Sequence, residues 1–321
     1  MLSRLVVGVF LALRVLGALA QSQDADPNFD ASVRAPAYSG SGPMVAIDEA
    51  HFNFHTQSDR YEPFAKLLRN DGYTVRAGTE PFAAASLASA DVLVIANAGI
   101  MNPAGPATPA FTAEECAAVA DWVRGGGALL LVADHAPAGA AAAILAETFG
   151  VEMGKGWSFD AVGPNDLTTQ IVFTRANGLL GEHPILRGRN PAEAIDHVRS
   201  FTGQSLTVPD GATPLLRFAT TAREAPQPAD LDAIGNAVAR GTPDAAQIVA
   251  AHSFPIGGRA QGLAMPFGAG RVVMLGEAAM LSAQIAALPN QAPFPFGMNV
   301  QGTDDKQFAL NVLHWLSGSI E

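Results

Sequence analysis

"DWVRGGGALLLVADHAP", residues 121–137, is the stretch that decides the fold. Asp121 to Arg124 close an amphipathic helix. Gly125-Gly126-Gly127 then end it, because glycine is costly inside a helix and adopts the turn conformations that follow one. Leu129 to Val132 form an unbroken apolar run. Such a run suits a strand covered on both faces of a parallel sheet. Asp134-His135 follow on a sharp turn, with small residues after them. Helix, glycine turn, buried strand and polar turn make one repeat of an α/β fold.

Reading outward, the same alternation recurs. Met44 to Ile47 is a short apolar strand. Tyr61, Phe64, Leu67 and Leu68 share a helical face, with Ser58 or Asp59 as the expected cap and Gly72 as the stop. Tyr73 to Val75 and Val92 to Ile95 read as the next strands. Thr112-Ala-Glu-Glu115 is a capping box, and Cys116, Val119, Ala120 and Val123 share one face of the helix it opens. Ala140 to Phe149 is a further helix, stopped at Gly150. In the second half, Ile171–Phe173, Leu215–Phe218, Ile248–Val249 and Val272–Leu275 read as strands. The stretch 221–246 reads as a surface excursion, and Gln307 to Leu316 as a closing helix. The pattern predicts a doubly wound, mostly parallel sheet with helices on both faces, of the flavodoxin-like kind. Residues 44–318 form one domain, with insertions over 151–246. Residues 286–303 form a long Pro/Gly/Asn loop of the sort that covers binding sites.

Residues 1–20 have a short basic start, an apolar core and a small-x-small end at Ala18-Leu19-Ala20. That is the pattern of a signal peptide cleaved near Ala20, so the chain is expected to be exported, periplasmic or secreted. Residues 21–43 lack periodicity and read as a flexible arm. No segment is long and apolar enough for a membrane span. The formal charge is −11, and losing Arg4 and Arg14 makes it more negative. An acidic surface disfavours nucleic acid and anionic membranes as partners. The one cysteine, Cys116, rules out an intrachain disulfide and lies on a core face. There is no GxSxG elbow, no Walker loop and no GxGxxG. The partner expected is a small molecule.

In an open parallel sheet, ligands bind beyond the carboxyl ends of the strands. Asp48, Glu49, His51, Asn53 and His55 follow the first strand. Asn97 follows Val92–Ile95, and Asp134 and His135 follow Leu129–Val132. His252 follows Ile248–Val249, and Glu277 and Ser282 follow Val272–Leu275. Five strand ends thus bring polar residues to one edge. Asp48, Glu49, Asp134, His135 and Glu277 are the expected acid–base groups. Asn53, Asn97, His252 and Ser282 are expected to contact substrate. His51 and His55, four apart, could hold a divalent metal such as zinc with a nearby carboxylate. Against that stand a metal-free polar site and a structural role, in which Asp48 caps a helix, His51 stacks on Phe54 and His55 is solvated. His183 and His197 lie in loop or edge contexts, and His314 on the closing helix is no ligand.

The helix–turn–strand at 121–137 resembles the class I glutamine amidotransferase-like superfamily, in particular its exported or trehalose-utilisation-like branches. "VAIDEAHFNFHT" (45–56), "ADVLVIANAG" (90–99), "FTAEECAAVADWV" (111–123), "GRVVMLGEAAMLSAQ" (270–284) and "QFALNVLHWLSG" (307–318) carry the resemblance further. It covers about 44–150 and 245–318. The resemblance implies a cysteine nucleophile on the turn where this chain has Asp134-His135, with His and Glu partners after the last strand, where Glu277 stands alone. Glutaminase chemistry is therefore not expected. The reading is an exported hydrolase of a small ester, lactone, amide or sugar-like compound, with water activated by a metal or a carboxylate. The alternative is a non-catalytic binding module for a carbohydrate or other small ligand, with Trp157, Phe159, Phe294 and Phe296 as stacking surfaces.

Overall fold

A computed structural model describes residues 22–163, 166–287 and 292–321. The expected signal peptide lies outside these residues. The principal sheet has seven strands: β1 (Met44–Asp48), β2 (Thr74–Gly78), β3 (Val92–Ala96), β4 (Ala128–Val132), β5 (Thr213–Arg217), β6 (Ala260–Phe267) and β7 (Gly270–Leu275). Their spatial order is β5-β6-β7-β4-β3-β1-β2. The five strands from β7 to β2 run parallel. The edge strands β6 and β5 are added antiparallel. The sheet is therefore large, mostly parallel and flanked by helices.

Alternate residues along each strand feed two separate cores, as the two-residue period of a strand requires. Val45, Ile47, Val94, Leu130 and Val132 pack with Phe64 and Leu67 of α1 (Glu62–Asn70). The same cluster takes Phe308 and Val312 of α6 (Asp305–Leu316). Leu93, Ile95, Leu129, Leu131 and Met274 pack instead with Val119 and Val123 of α2 (Ala113–Arg124) and Leu145 of α3 (Ala138–Thr148). Burying each such side chain contributes about 1.5–3 kcal/mol. That explains why the continuous apolar runs were readable as buried strands.

Five expectations are corrected. Ile248 and Val249 lie in helix α5 (Ala245–Ala251), not in a strand. It follows α4 (Pro228–Arg240), and the two pack together over a small core of their own, so the apolar pair is a helix face. The excursion at 221–246 holds α4 and the strand Ala222–Ala225, which joins a second sheet with Trp157–Gly163. The arm at 21–43 begins with the strand Ser22–Ala25, which pairs antiparallel with Ala283–Ala287. The loop at 286–303 contains the strand Phe294–Gly297, the other partner of Ala283–Ala287. Short polar or proline-bearing strands such as these carry no alternation of their own. Backbone hydrogen bonds to a neighbour define them. α1 also starts differently: Tyr61 is its N-cap, with no side-chain cap, and Pro63 fills the first turn.

Candidate functional site

At the carboxyl edge of the sheet lies a cavity of about 310 Å³. Asp134 and His135 beyond β4, Asn97 beyond β3, His55 beyond β1 and Glu277 beyond β7 all line it. Val132 and Leu275 are register partners on adjacent parallel strands. Asp134 and Glu277 each stand two residues further on, so the register alone brings two acids to one level. Phe54, Phe201, Phe294 and Phe296 add apolar walls, and Gln23 and Gln284 close the cavity from the three-stranded sheet.

The acids sit in different settings. Glu277 is fully buried, and its two carboxyl oxygens accept the backbone N–H groups of Ala279 and Met280, both at 2.8 Å. Burial, and then the charge of Asp134, push its pKa well above the usual carboxyl range. Asp134 Oδ1 accepts the His135 N–H at 2.7 Å. Its pKa is also raised, chiefly by burial, against the downward pull of His135. The charge of Asp134 thus helps the buried Glu277 keep its proton. His135 donates from Nδ1 to Ala136 O at 2.9 Å, and its Nε2 lies 4.0 Å from Asp134 Oδ1. Its ring stacks on Trp157, with centroids 5.7 Å apart.

Asn97 organises the floor. It adopts a left-handed φ of 50°, and its side-chain oxygen accepts the Asp134 N–H at 2.8 Å. Its amide nitrogen lies 3.3 Å from His55 Nδ1 and donates to it. That places the His55 proton on Nε2. His55 packs on Tyr61 and Phe54. Burial, aided by Arg60, lowers its pKa to about 3, so the ring is neutral. Thr202, at φ 64°, is a second left-handed residue lining the cavity. Non-glycine residues in this region store backbone strain and cluster at functional sites.

Sequence reasoning missed Gln204, which is fully buried. Its Nε2 donates to Ala133 O at 2.8 Å and Asp134 O at 3.0 Å, while its Oε1 accepts the Lys155 N–H at 2.8 Å. A Cβ on Gly139 would stand 2.2 Å from that Oε1, so the small residue after the Asp134 turn makes room for the clamp. Nothing in a lone glutamine advertises this role. Gln23 was hidden for the same reason.

The other expected site residues go elsewhere. Asp48 is fully buried and accepts from His51 Nδ1 at 2.9 Å and Asn53 Nδ2 at 3.0 Å. His51 Nε2 lies 2.8 Å from Glu115 Oε1. Glu115 Oε2 accepts from Thr112 in the expected capping box, so one carboxylate both caps α2 and binds the histidine. Burial opposes a charge on His51, but Asp48 and Glu115 outweigh it and raise its pKa. The ring packs on Phe82 and Phe111, not on Phe54. Glu49 accepts the Gln57 N–H at 3.0 Å. Ser282 donates to Ala279 O within the turn after Glu277. His252 pairs with Asp230 at 2.7 Å, on the α4–α5 side. Phe159 is buried in the small core under α4 and offers no stacking face, whereas Phe294 and Phe296 line the cavity.

The metal expectation fails on geometry. Both ring nitrogens of His51 face carboxylates, and His55 Nδ1 accepts from Asn97. Among the described residues, no group of three or more His, Cys, Asp or Glu could hold an ion. His51 and His55 therefore do not fit as a zinc pair. Cys116 is buried, and burial pushes its thiol up to about 11, which disfavours the thiolate a nucleophile needs. Among the described residues, no helix is long and apolar enough to cross a membrane.

No family model matches the chain, and no curated protein matches it in sequence. Solved structures do match. The mmIFT52 N-terminal domain aligns with a TM-score of 0.55 at 13% identity, over 85% of this chain and 97% of that domain. That likeness shows the α/β fold alone. A ThuA-like protein from Parabacteroides merdae aligns at TM-score 0.41 and 10% identity, over 88% of this chain and 91% of that one. A GMP synthase-like protein from Thermoplasma acidophilum aligns at TM-score 0.39 and 10% identity, over 86% of this chain and 94% of that one.

Proposed function

We propose that this chain is an exported hydrolase on a glutamine amidotransferase-like scaffold, acting on a small ester, lactone, amide or sugar-like compound. The observation that carries the reading is the Asp134–Glu277 pair, opening on one cavity beside His135. In the ionised form of the pair, Asp134 takes a proton from a water molecule as that water attacks the carbonyl or acetal carbon of the substrate. Glu277, behind it, keeps the one proton of the pair, so the single negative charge stands on Asp134, the base. The His55 Nε2–H donates to the oxygen on which charge develops. The proton gained by Asp134 passes by way of His135 Nε2 to the leaving group, which closes the proton balance. Asp134 and His135 replace the cysteine that the resemblance implies, so the same strand end serves water in place of a thiol.

The test is a screen of purified chain against small esters, lactones, amides and glycosides, repeated with Asp134→Asn and Glu277→Gln. Turnover that both variants abolish supports the reading. Turnover that survives both overturns it. Ligand-induced stabilisation without any turnover would favour the binding-module alternative, to which the phenylalanine walls are equally suited.

A further inference from the structure

The cavity is divided in its chemistry. At one end stand Asp134 and His135, whose side chains keep 17% and 42% of their surface exposed. Most other polar side chains of the lining are engaged inside the wall. Asn97 accepts the Asp134 N–H and donates to His55 Nδ1. Glu277 is fully buried on the N–H groups of Ala279 and Met280. Gln284 is fully buried too and donates to Ser282 Oγ at 2.7 Å. Beyond the strand-end pair, the partly exposed polar residues of the lining are Gln23, Thr169 and Thr202.

The other wall is aromatic. Phe294 and Phe296 are two apart on the strand Phe294–Gly297, so they share one sheet face, and both line the cavity. Phe201 stands against Phe296, with centroids 4.9 Å apart and planes at 83°. All three rings are half-buried, not sealed in the core. Two rings at right angles make a corner. A third ring can lie offset on one and edge-on to the other, the arrangements that aromatic quadrupoles favour. Phe54 is less available, because the Arg60 guanidinium lies 3.9 Å from its centroid. Arg199 lies 5.6 Å from the Phe201 centroid. Among the described residues, no lysine or arginine lines the cavity. An apolar cavity of about 150 Å³ holds benzene. The volume here, about 310 Å³, therefore has room for one ring together with an ester or amide.

We infer that the substrate is a neutral ester or amide carrying one apolar ring, which nests in the Phe201–Phe296 corner while the scissile carbonyl lies at Asp134. The division of the cavity matches a compound that is polar at one end only. A sugar ring carries a hydroxyl on nearly every carbon, and each one set against a phenyl wall without a partner is costly. A carboxylate would meet the negative charge on Asp134 with no cation in the lining to offset it. Phe201 and Phe296 are then the residues that set specificity. The assignment deepens the hydrolase reading, rests on its placing of the reaction at Asp134, and sets aside the sugar-like substrates.

The experiment is titration of the full chain at neutral pH with benzyl alcohol, myo-inositol and sodium benzoate. These three ring compounds offer the site no bond to hydrolyse, so the result does not depend on turnover. Benzyl alcohol is expected to bind at least about tenfold tighter than either of the others. Phe296→Ala, which removes one side of the corner, is expected to weaken benzyl alcohol by about tenfold. If that variant fails to fold, the three-probe comparison on the unaltered chain decides. Inositol binding as tightly as benzyl alcohol would overturn the assignment. Benzoate binding as tightly as the alcohol would overturn the placing of the polar end at Asp134, and the assignment with it. Benzyl alcohol binding unchanged in folded Phe296→Ala would overturn it as well. Binding of none of the three would overturn it too, while the hydrolase reading would still be decided separately by the Asp134 and Glu277 variants.

Discussion

Asp134 and Glu277 stand at equivalent places, each two residues beyond Val132 and Leu275, which pair in register on adjacent parallel strands. Sheet geometry thereby forces two carboxyls into one buried site. The consequence for stability can be measured. Glu277 has a folded pKa raised above its unfolded value. Its contribution to stability is therefore fully present below the ordinary glutamate pKa and is lost as pH rises through the folded value. Glu277→Gln is expected to be less stable than the parent at pH 5, by about 1 kcal/mol for a lost acceptor. The gap should narrow steadily toward pH 9. Urea midpoints across that range check it, and a gap independent of pH would contradict the account.

His51 is held between Asp48 and Glu115, outside the cavity. Removing it leaves the buried Asp48 with no cationic partner, so His51→Ala should cost about 3 kcal/mol of stability while any cavity-dependent turnover persists. The metal content of the purified protein should be the same for the parent and for His51→Ala/His55→Ala. Denaturation curves and elemental analysis are the measurements.

Acid sensitivity should trace largely to His55. It is buried and neutral, with a folded pKa near 3 against an ordinary 6.5. Its stabilisation is complete above about pH 6.5 and is lost as pH falls toward 3. His183, lowered to about 4 by burial and then by Arg187 and Arg271, adds to the same limb. Replacing His55 with Leu should flatten the acid limb of a stability–pH curve in part, leaving the His183 share.

Gln204 positions the turn that carries Asp134. Gln204→Leu removes two donated hydrogen bonds and one accepted one, and is expected to cost about 2 kcal/mol. Because it acts through Asp134, it should lower kcat with little change in KM. A purely structural role would lower stability without that split.

The principal sheet was legible because its strands β1, β3, β4 and β7 are continuous apolar runs bounded by glycine or polar turns. The acids at 134 and 277 followed directly from that reading. The cluster at 48–55 misled because proximity in sequence does not fix direction. Beyond β1 the chain turns so that His55 lines the cavity while His51 packs on Phe82. His252 misled because a two-residue apolar pair fits a helix face as well as a strand. Gln23, Gln204 and Gln284 were invisible, since their roles depend on contacts with residues distant in sequence.

The central claim is that Asp134, with the proton of the pair held on Glu277, activates water in this cavity. Asp134→Asn tests it most directly, since it preserves shape and removes the base. Measured on any ester, lactone, amide or glycoside that the parent turns over, kcat should fall by about 10²–10⁴ with the melting temperature maintained. Parent-like kcat in the folded Asp134→Asn variant would contradict the account.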